Sequence, residues 1–188
     1  MKRSYFKLSG LASFVAILVF ASACNGSNAD GQPVRNTGHY AIIETERGTI
    51  VVELYPKVAP KTVANFEKLT TDGFYNGLKW HRVVPEFVIQ GGDPDGTGTG
   101  GPGYKVPAEI DKNEHHLRGS LATARTGDDV NPQRESSGSQ FYICIEPQPG
   151  LDGQYTVFGA VIKGMDVVDQ IKQGDHMKKI TLAKEPPK

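Results

Sequence analysis

The chain has 188 residues, with 21 lysine and arginine residues against 21 aspartate and glutamate residues. A chain of this length fits one domain with a sizeable core and is short for two. The even balance of charge leaves no basic footprint for nucleic acid, so we expect no nucleic-acid partner. Two cysteines are present, too few for a disulfide framework.

Residues 1–23 have the pattern of an export signal. Basic residues near the start precede an apolar run, Leu11–Phe20, and the small residues Ala21–Ala23 follow. This is the order of regions in a signal peptide, and the run is short for a membrane span, which takes about 20 residues. Without these residues the chain keeps 18 basic and 21 acidic side chains, a net charge of −3.

Cys24 directly follows the small residues, and two kinds of processing fit it. Ordinary signal peptidase would cut after Ala23 and release a soluble periplasmic or secreted protein. The cysteine also resembles the acceptor of a bacterial lipobox, which is lipidated and becomes the new N-terminus, although Ala21 replaces the usual leucine. We favour a lipoprotein anchored through Cys24 to a bacterial membrane, facing the periplasm or cell exterior. An uncleaved apolar anchor is the third alternative.

Residues 24–38 are polar and rich in glycine and asparagine, with no apolar period. This composition predicts a flexible linker. The linker would connect the leader to a folded domain of residues 39–184.

The domain is predicted to open with a β-hairpin. Apolar and polar side chains alternate through residues 39–55 on both sides of Glu46–Gly48, which has the composition of a turn. The candidates for the core face include Ile42, Ile50, Val52 and Leu54.

Two short helices are predicted. The first begins at Pro60, a residue favoured in the first helical turn, and ends before Gly73. The second spans Met165–Lys172, with Gly174 just beyond it. Apolar residues recur at helical spacing in both: Val63, Phe66 and Leu69 in the first, and Met165, Val168 and Ile171 in the second.

Most other segments have the pattern of short strands joined by turns. Two short helices cannot cover both faces of so large a sheet, so closure into a barrel is the economical way to protect its edges. We therefore predict a mainly β domain.

The stretch Trp80–Asp93, WHRVVPEFVIQGGD, combines a strand pattern with one unusual charge. Alternation through Phe87 and Ile89 predicts a strand with one face on the core. Arg82 stands among apolar residues, where an unpaired buried charge would cost much free energy.

Together with two later blocks, Ser136–Ile143 (SSGSQFYI) and Leu151–Val161 (LDGQYTVFGAV), this stretch resembles the signature of the cyclophilin-type peptidyl-prolyl cis-trans isomerases. The blocks occur in the order and at about the spacing of that family, and the similarity extends from His39 to Leu182. The resemblance implies a closed antiparallel β-barrel of eight strands capped by two short α-helices. It also implies an enzyme that needs no cofactor and accelerates rotation of X-Pro bonds while exported, proline-containing polypeptides fold.

Rotation about a prolyl bond breaks no covalent bond, so it needs neither a nucleophile nor an acid–base pair. Its barrier of roughly 18–20 kcal/mol comes from amide resonance. A donor that meets the prolyl nitrogen as it loses conjugation would bind the transition state more tightly than the ground state. Arg82 matches the catalytic arginine of the family, and its planar, permanently charged group suits this task.

The resemblance also assigns the walls of a proline pocket to apolar positions. Without it, each of these side chains would be taken for a core residue. Val88 replaces a frequent methionine and Tyr142 adds a hydroxyl to a frequent phenylalanine, and neither change should abolish proline binding. The four wall residues are Phe87, Val88, Tyr142 and Leu151.

Polar contacts to substrate are implied at five further positions. Gln90 and Gln140 match glutamines that orient the arginine and bind the substrate backbone, because an amide is both donor and acceptor. Ala124 and Arg125 match positions that supply main-chain contacts to the residue before proline, with Arg125 in place of a frequent asparagine. Tyr155 replaces a histidine and could stack on substrate. His81 should face away from Arg82, so we expect it to be structural.

Gly150 stands where cyclosporin-binding members of the family have tryptophan. We therefore expect weak binding of cyclosporin without loss of isomerase activity. The loop Gly127–Glu135 is longer than in the minimal family pattern. It either tunes substrate choice or is a solvated insertion, and we favour the insertion.

Four other features are interpreted as structural. The pattern GxGxxG at Gly98–Gly103 lacks the following helix of a dinucleotide site, and the run that begins at Asp93 lacks the last carboxylate of a calcium loop. His115 and His116 are adjacent, so their side chains diverge, and we expect no metal. Cys144 lies in the apolar run FYICI, which predicts a buried thiol without a disulfide to Cys24.

A second class of function uses the same groove. A non-catalytic module that binds proline peptides, or a folding chaperone, would need the pocket but would have little use for a donor aimed at the prolyl nitrogen. Arg82, Gln90 and Gln140 favour the enzyme. The sequence identifies neither the client proteins nor the residue preferred before proline, and we expect a monomer by default.

Overall fold

Eight short strands and two helices form the domain. This computed structural model describes residues 33–187 together with Ser27 and Gly31. The predicted signal peptide, Cys24 and most of the predicted linker lie outside the described residues. The strands are β1 (Tyr40–Thr45), β2 (Thr49–Leu54), β3 (Arg82–Val84), β4 (Val88–Gly91), β5 (Ser120–Thr123), β6 (Phe141–Cys144), β7 (Val157–Lys163) and β8 (Met177–Ala183).

The strands pair antiparallel in one sheet of order β3-β4-β6-β5-β7-β2-β1-β8, which confirms the mainly β fold of eight strands. The predicted closure differs in detail, because no ladder joins the end strands β3 and β8. Residues before β3 bond to residues before and at the start of β8: Trp80 N–H donates to Asp175 O at 2.9 Å and Gly77 N–H to Met177 O at 2.7 Å. The sheet is therefore a curled half-barrel whose edges meet through these short segments.

The predicted hairpin is confirmed as β1 and β2, and Thr45 N–H donates to Gly48 O across its turn at 2.8 Å. The expected core side chains of β2 are buried. In β1 the expectation for Ile42 is wrong, because Ala41 and Ile43 point into the core and Ile42 is only half-buried. Successive strand residues face opposite sides, so a shift of one position exchanges the faces.

Helix α1 (Pro60–Thr71) is as predicted, and its apolar stripe is buried. Helix α2 (Met165–Val168) is shorter than the predicted Met165–Lys172. After it the chain continues in tight turns, in which Ile171 N–H donates to Val168 O at 3.2 Å. Bonds to the third preceding residue thus replace helical bonds to the fourth, while Ile171 stays buried.

Two apolar clusters lie on opposite faces of the sheet. The main core contains Ile89 and Ile143 together with the buried apolar residues of both helices. The second cluster contains Val88, Tyr142 and Cys144, from alternate positions of the same strands β4 and β6. Strand alternation therefore builds the core with one set of side chains and an outward apolar surface with the other.

Among the described residues, none of the helices is both long enough and apolar enough to cross a bilayer.

Candidate active site

A row of side chains crosses the outward face of four neighbouring strands. Arg82 on β3 pairs with Gln90 on β4, Gln90 pairs with Tyr142 on β6, and Tyr142 pairs with Ala122 on β5. Directly paired residues lie on the same face of a sheet. The sheet register therefore brings the predicted catalytic arginine and a predicted wall residue to one surface.

This surface holds a cavity of about 270 Å³. Its lining includes every predicted catalytic or substrate-binding residue except Gln140. The lining residues are Arg82, Phe87, Val88, Gln90, Ala124, Arg125, Tyr142, Leu151 and Tyr155.

Arg82 lies at the exposed rim of the cavity, so its charge avoids the cost of deep burial. Its guanidinium carbon is 5.5 Å from the centroid of the Phe87 ring. Its Nη1 donates to Gln90 Oε1 at 3.3 Å, which restrains one side of the group. The remaining N–H groups can point into the cavity.

The two predicted glutamines form a relay behind Arg82. Gln90 Nε2 donates to Gln140 Oε1 at 3.0 Å, and Gln140 Nε2 donates to the main-chain oxygens of Gly98 at 3.1 Å and Gly100 at 2.8 Å. Gln140 is buried and lines a neighbouring groove of about 540 Å³, which shares Gln90, Ala124 and Arg125 with the cavity. Gln140 therefore orients Gln90 from the adjoining groove.

The glycine-rich run after β4 is a structural loop around Asp93. The buried carboxylate of Asp93 accepts main-chain N–H bonds from Asp95, Gly98 and Gly100. Burial raises the pKa of Asp93, but these main-chain bonds outweigh it and hold the pKa below its ordinary value. The loop thus fixes the carbonyl groups to which Gln140 donates.

The neighbouring groove contains residues to which the sequence analysis assigned no role in catalysis or substrate binding. They come from two separate loops, and no local motif marks them as neighbours. They are Asp95, Thr99, Lys105, Thr126, Glu135 and Ser137.

Arg125 contributes its side chain as well as its main chain. Its guanidinium carbon lies 4.5 Å from the centroid of the Tyr155 ring, and its Nη1 lies 2.6 Å from Asp128 Oδ1. Arg134 donates to the other oxygen of Asp128 at 2.6 Å and to Gly153 O at 3.2 Å. The loop Gly127–Glu135 is therefore bonded to the cavity rim, while residues 126–130 are exposed to solvent, and the preference for a solvated insertion stays a prediction.

His81 points away from the cavity, as expected. Both of its ring nitrogens are buried, and neither has a hydrogen-bond partner within the described part of the chain. Burial and the nearby charge of Arg82 lower the pKa of His81, although Asp93 opposes the shift. A neutral ring is consistent with a structural role beside Arg82.

Cys144 is a buried free thiol, as predicted. Burial raises its pKa to about 12, so the reactive thiolate is scarce at neutral pH. The structure gives no group of histidine, cysteine and carboxylate side chains suited to a metal within residues 33–187. His115 and His116 both contact Asp152 through Nδ1, at 2.8 and 2.9 Å.

Two residues of the predicted linker are bonded to the domain. The main-chain N–H groups of Arg35 and Thr37 donate to the carboxylate of Glu53 at 2.8 and 2.6 Å. The Arg35 guanidinium makes two bonds to Glu114 and lies 3.8 Å from the centroid of the Tyr55 ring. The chain is therefore attached to the barrel before β1 begins.

The sequence of this chain matches one known family over most of its length. Residues 40–187 fit the family described as cyclophilin type peptidyl-prolyl cis-trans isomerase/CLD. A peptidyl-prolyl cis-trans isomerase of Synechococcus elongatus is 51% identical over 144 residues, which cover 76% of this chain and 94% of the relative. Peptidyl-prolyl cis-trans isomerase B of Bacillus subtilis is 49% identical over 147 residues, which cover 78% of this chain and 97% of that protein.

Solved structures agree with the sequence match. A cyclophilin type peptidyl-prolyl cis-trans isomerase from Cryptosporidium parvum superposes with a TM-score of 0.72 at 31% identity, covering 79% of this chain and 99% of the other. A second structure of a protein with this description, in the presence of the dipeptide Ala-Pro, gives a TM-score of 0.66 at 31% identity, covering 78% and 96%. The chain therefore belongs to the cyclophilin-type peptidyl-prolyl cis-trans isomerases.

Proposed function

We propose that Arg82 is the catalytic residue, and that it stabilises the twisted amide of an X-Pro bond held in the apolar cavity. The observation that carries this proposal is the position of Arg82 at the rim, 5.5 Å from the Phe87 ring. A proline ring packed on Phe87 would bring its nitrogen close to the guanidinium. Val88, Tyr142 and Leu151 supply further apolar contacts and limit access of water.

The chemistry needs only a donor and a dry pocket. As the bond twists, the prolyl nitrogen loses conjugation and becomes able to accept a hydrogen bond. A bond from a charged donor contributes about 1.5–3 kcal/mol, or roughly 10- to 100-fold in rate if it forms only in the transition state. The bond to Gln90 Oε1 limits the orientations of Arg82, which reduces the entropy lost when the donor engages.

The substrate main chain would bind beside the pocket at Arg125. Within the described residues the N–H and C=O of Arg125 have no hydrogen-bond partner, whereas Ala124 N–H already donates to Gln140 O at 2.9 Å. An extended peptide could therefore pair with Arg125 as a short added strand. Tyr155 and the side chain of Gln140 border the same path.

The test is cis/trans exchange of a short Ala-Pro peptide, followed by NMR with the full chain and with Arg82→Ala. We expect fast exchange with the wild type and its loss in the variant. Arg47→Ala is the matched control, because Arg47 is paired with Asp175 and does not line the cavity. If the peptide exchanges no faster with the folded wild type than in buffer alone, the enzyme proposal is wrong. The alternative, a non-catalytic binding module or folding chaperone, then takes its place.

The setting of the activity is the second part of the proposal. The signal-like residues 1–23 and the cysteine that follows them favour an exported protein, lipidated at Cys24 and held at a bacterial membrane. There it would accelerate proline-limited steps in the folding of exported proteins, which otherwise take tens of seconds. The intact mass of the protein purified from membranes tests this, because an unmodified N-terminus at Cys24 contradicts lipidation.

A further inference from the structure

His116 lies behind the cavity and has no part in the chemistry proposed above. Its side chain is fully buried. Titratable side chains are rarely buried to this extent unless they are paired. Both ring nitrogens are bonded: Nδ1 lies 2.9 Å from Asp152 Oδ1, and Nε2 lies 3.0 Å from Tyr142 Oη. The His116 main-chain N–H also donates to Asp152 Oδ1, at 2.8 Å.

The direction of these bonds follows from the charge of Asp152. Burial raises the pKa of Asp152, but bonds from the His116 main chain and from both histidine rings outweigh it and keep the pKa below its ordinary value. The ionised carboxylate can only accept, so Nδ1 of His116 carries the hydrogen. Burial lowers the pKa of His116, against the opposing effect of Asp152, so the ring is neutral at pH 7. Nε2 is then an acceptor, and Tyr142 donates to it.

The bond turns the Tyr142 hydroxyl out of the cavity. The rings of His116 and Tyr142 are nearly parallel, with centroids 6.0 Å apart and planes at 19°. Tyr155 meets both rings edge-on, at 6.4 Å from His116 and 6.0 Å from Tyr142. One histidine thus contacts two aromatic residues that line the cavity, and its partner Asp152 directly follows the wall residue Leu151.

We propose that His116 is a positioning residue of the isomerase site, which holds the Tyr142 hydroxyl away from the substrate and fixes the ring as an apolar wall for proline. If the Tyr142 hydroxyl pointed into the cavity, the bound proline ring would exclude water from it and offer it no hydrogen bond. Peptide binding would then lose free energy. The neutral imidazole removes this cost by accepting the hydroxyl behind the wall. This inference rests on the proposed function of the cavity.

A mutant cycle tests the inference with the Ala-Pro exchange measurement. His116→Leu removes the acceptor, and we expect the exchange rate at low peptide concentration to fall about five- to tenfold. When His116→Leu is added to Tyr142→Phe, the exchange rate should fall by less than about twofold relative to Tyr142→Phe alone. No hydroxyl then remains for His116 to hold. His116→Gln supplies an amide oxygen near the position of Nε2 and should recover most of the rate.

The pH profile is an independent readout. Protonated His116 donates from both nitrogens, so Nε2 stops accepting from Tyr142. The titratable groups that face the ring are Asp152 and Tyr155 from the loop before β7, Tyr142 from β6, and the adjacent His115. We expect the wild-type rate to fall on acidification below pH 6.5, the ordinary histidine pKa, and this step to be absent in Tyr142→Phe.

An equal loss from His116→Leu in both backgrounds, or an unchanged pH step in Tyr142→Phe, would overturn the inference. If His116→Leu does not fold, His116→Gln and the pH profile decide. An NMR titration of each variant with the Ala-Pro peptide also gives the dissociation constant. A wild type that binds the peptide without accelerating exchange contradicts the proposed catalysis, whereas coupling between positions 116 and 142 in affinity still supports the positioning role.

Discussion

The guanidinium carbon of Arg125 lies 4.5 Å from the centroid of the Tyr155 ring, so a cation is packed on an aromatic side chain that lines the proposed substrate cavity. The side chain of Arg125 is 3% exposed, and Asp128 on the adjoining loop neutralises its charge. A residue expected to act through its main chain therefore also supports an aromatic side chain of the pocket.

Asp128→Asn should weaken peptide binding with little effect on global stability. The change removes the charge that holds both Arg125 and Arg134, so Tyr155 becomes more mobile. The Asp128 side chain is 46% exposed, so its ion pairs contribute little to folding. We expect the dissociation constant of an Ala-Pro peptide to rise about two- to fivefold. NMR titration measures it, with Asp129→Asn as the control of equal charge. Identical affinities for the two variants would contradict the role of the loop.

Glu53→Gln should detach the segment that precedes β1. The Glu53 carboxylate is completely buried and accepts from the main chain of Arg35 and Thr37. Bonds to a charged acceptor contribute about 1.5–3 kcal/mol, so we expect the free energy of unfolding to fall by about 2 kcal/mol. Tryptic cleavage after Arg35 should also become faster. Urea unfolding measures the first effect, with the exposed Glu44→Gln as control, and a loss no larger than in that control contradicts the attachment.

The protein should lose stability as the pH falls below the ordinary histidine value of 6.5. Burial lowers the pKa values of His81 and His116, so the unfolded chain binds protons at a higher pH than the folded chain does. Stability therefore rises with pH across this window and is fully present above it. Urea unfolding between pH 4.5 and 8 should give a shallower slope for His116→Gln than for the wild type. Equal slopes would exclude His116 as a source of the dependence.

A second loss is expected at lower pH. Hydrogen bonds hold the pKa values of Asp93, Asp152 and Asp175 below their ordinary 3.8. Their contribution is present above that value and disappears as the pH falls through the folded pKa values. Extending the urea-unfolding series to pH values below 3.8 therefore separates this loss from the loss caused by the histidines.

Gly150→Trp should be tolerated and should increase the affinity for cyclosporin. A Cβ atom at Gly150 would have no heavy atom within 4 Å, so a side chain can start there without a clash at its first atom. The position follows Pro149 in the single-turn 3₁₀ helix Pro149–Leu151, next to the wall residue Leu151. Inhibition constants for the wild type and the variant measure the effect. Tight inhibition of the wild type would contradict the expectation drawn from Gly150.

Local patterns in the sequence predicted the elements that depend on local signals. The alternation around Gly48 marked the first hairpin, and Pro60 with the spacing of Val63 and Phe66 marked α1. The end of α2 was not predictable, because the buried Ile171 continues the helical spacing although the backbone has already changed to tighter turns. The meeting of β3 and β8 depends on main-chain bonds between residues far apart in sequence.

The residues of the site also divide into those that local motifs mark and those that only the folded chain brings together. Motif blocks identified Arg82, Gln90 and Tyr142, and the sheet register explains why residues from separate blocks line one cavity. Nothing local links His116 to Tyr142, which lies 26 positions away on another element. The adjacent histidines indicated only that a shared metal was improbable, and the bond that gives His116 its proposed role exists only in the folded chain.

The most direct test of the proposed catalysis separates binding from turnover at Arg82. One NMR series gives both the dissociation constant of an Ala-Pro peptide and its exchange rate at saturation, for the wild type and Arg82→Ala. A donor that engages only in the transition state predicts a loss of roughly 10- to 100-fold in the saturated rate with less than about a threefold change in affinity. If Arg82→Ala binds the peptide more weakly but has the same exchange rate at saturation, Arg82 only binds the peptide and the catalytic account is wrong.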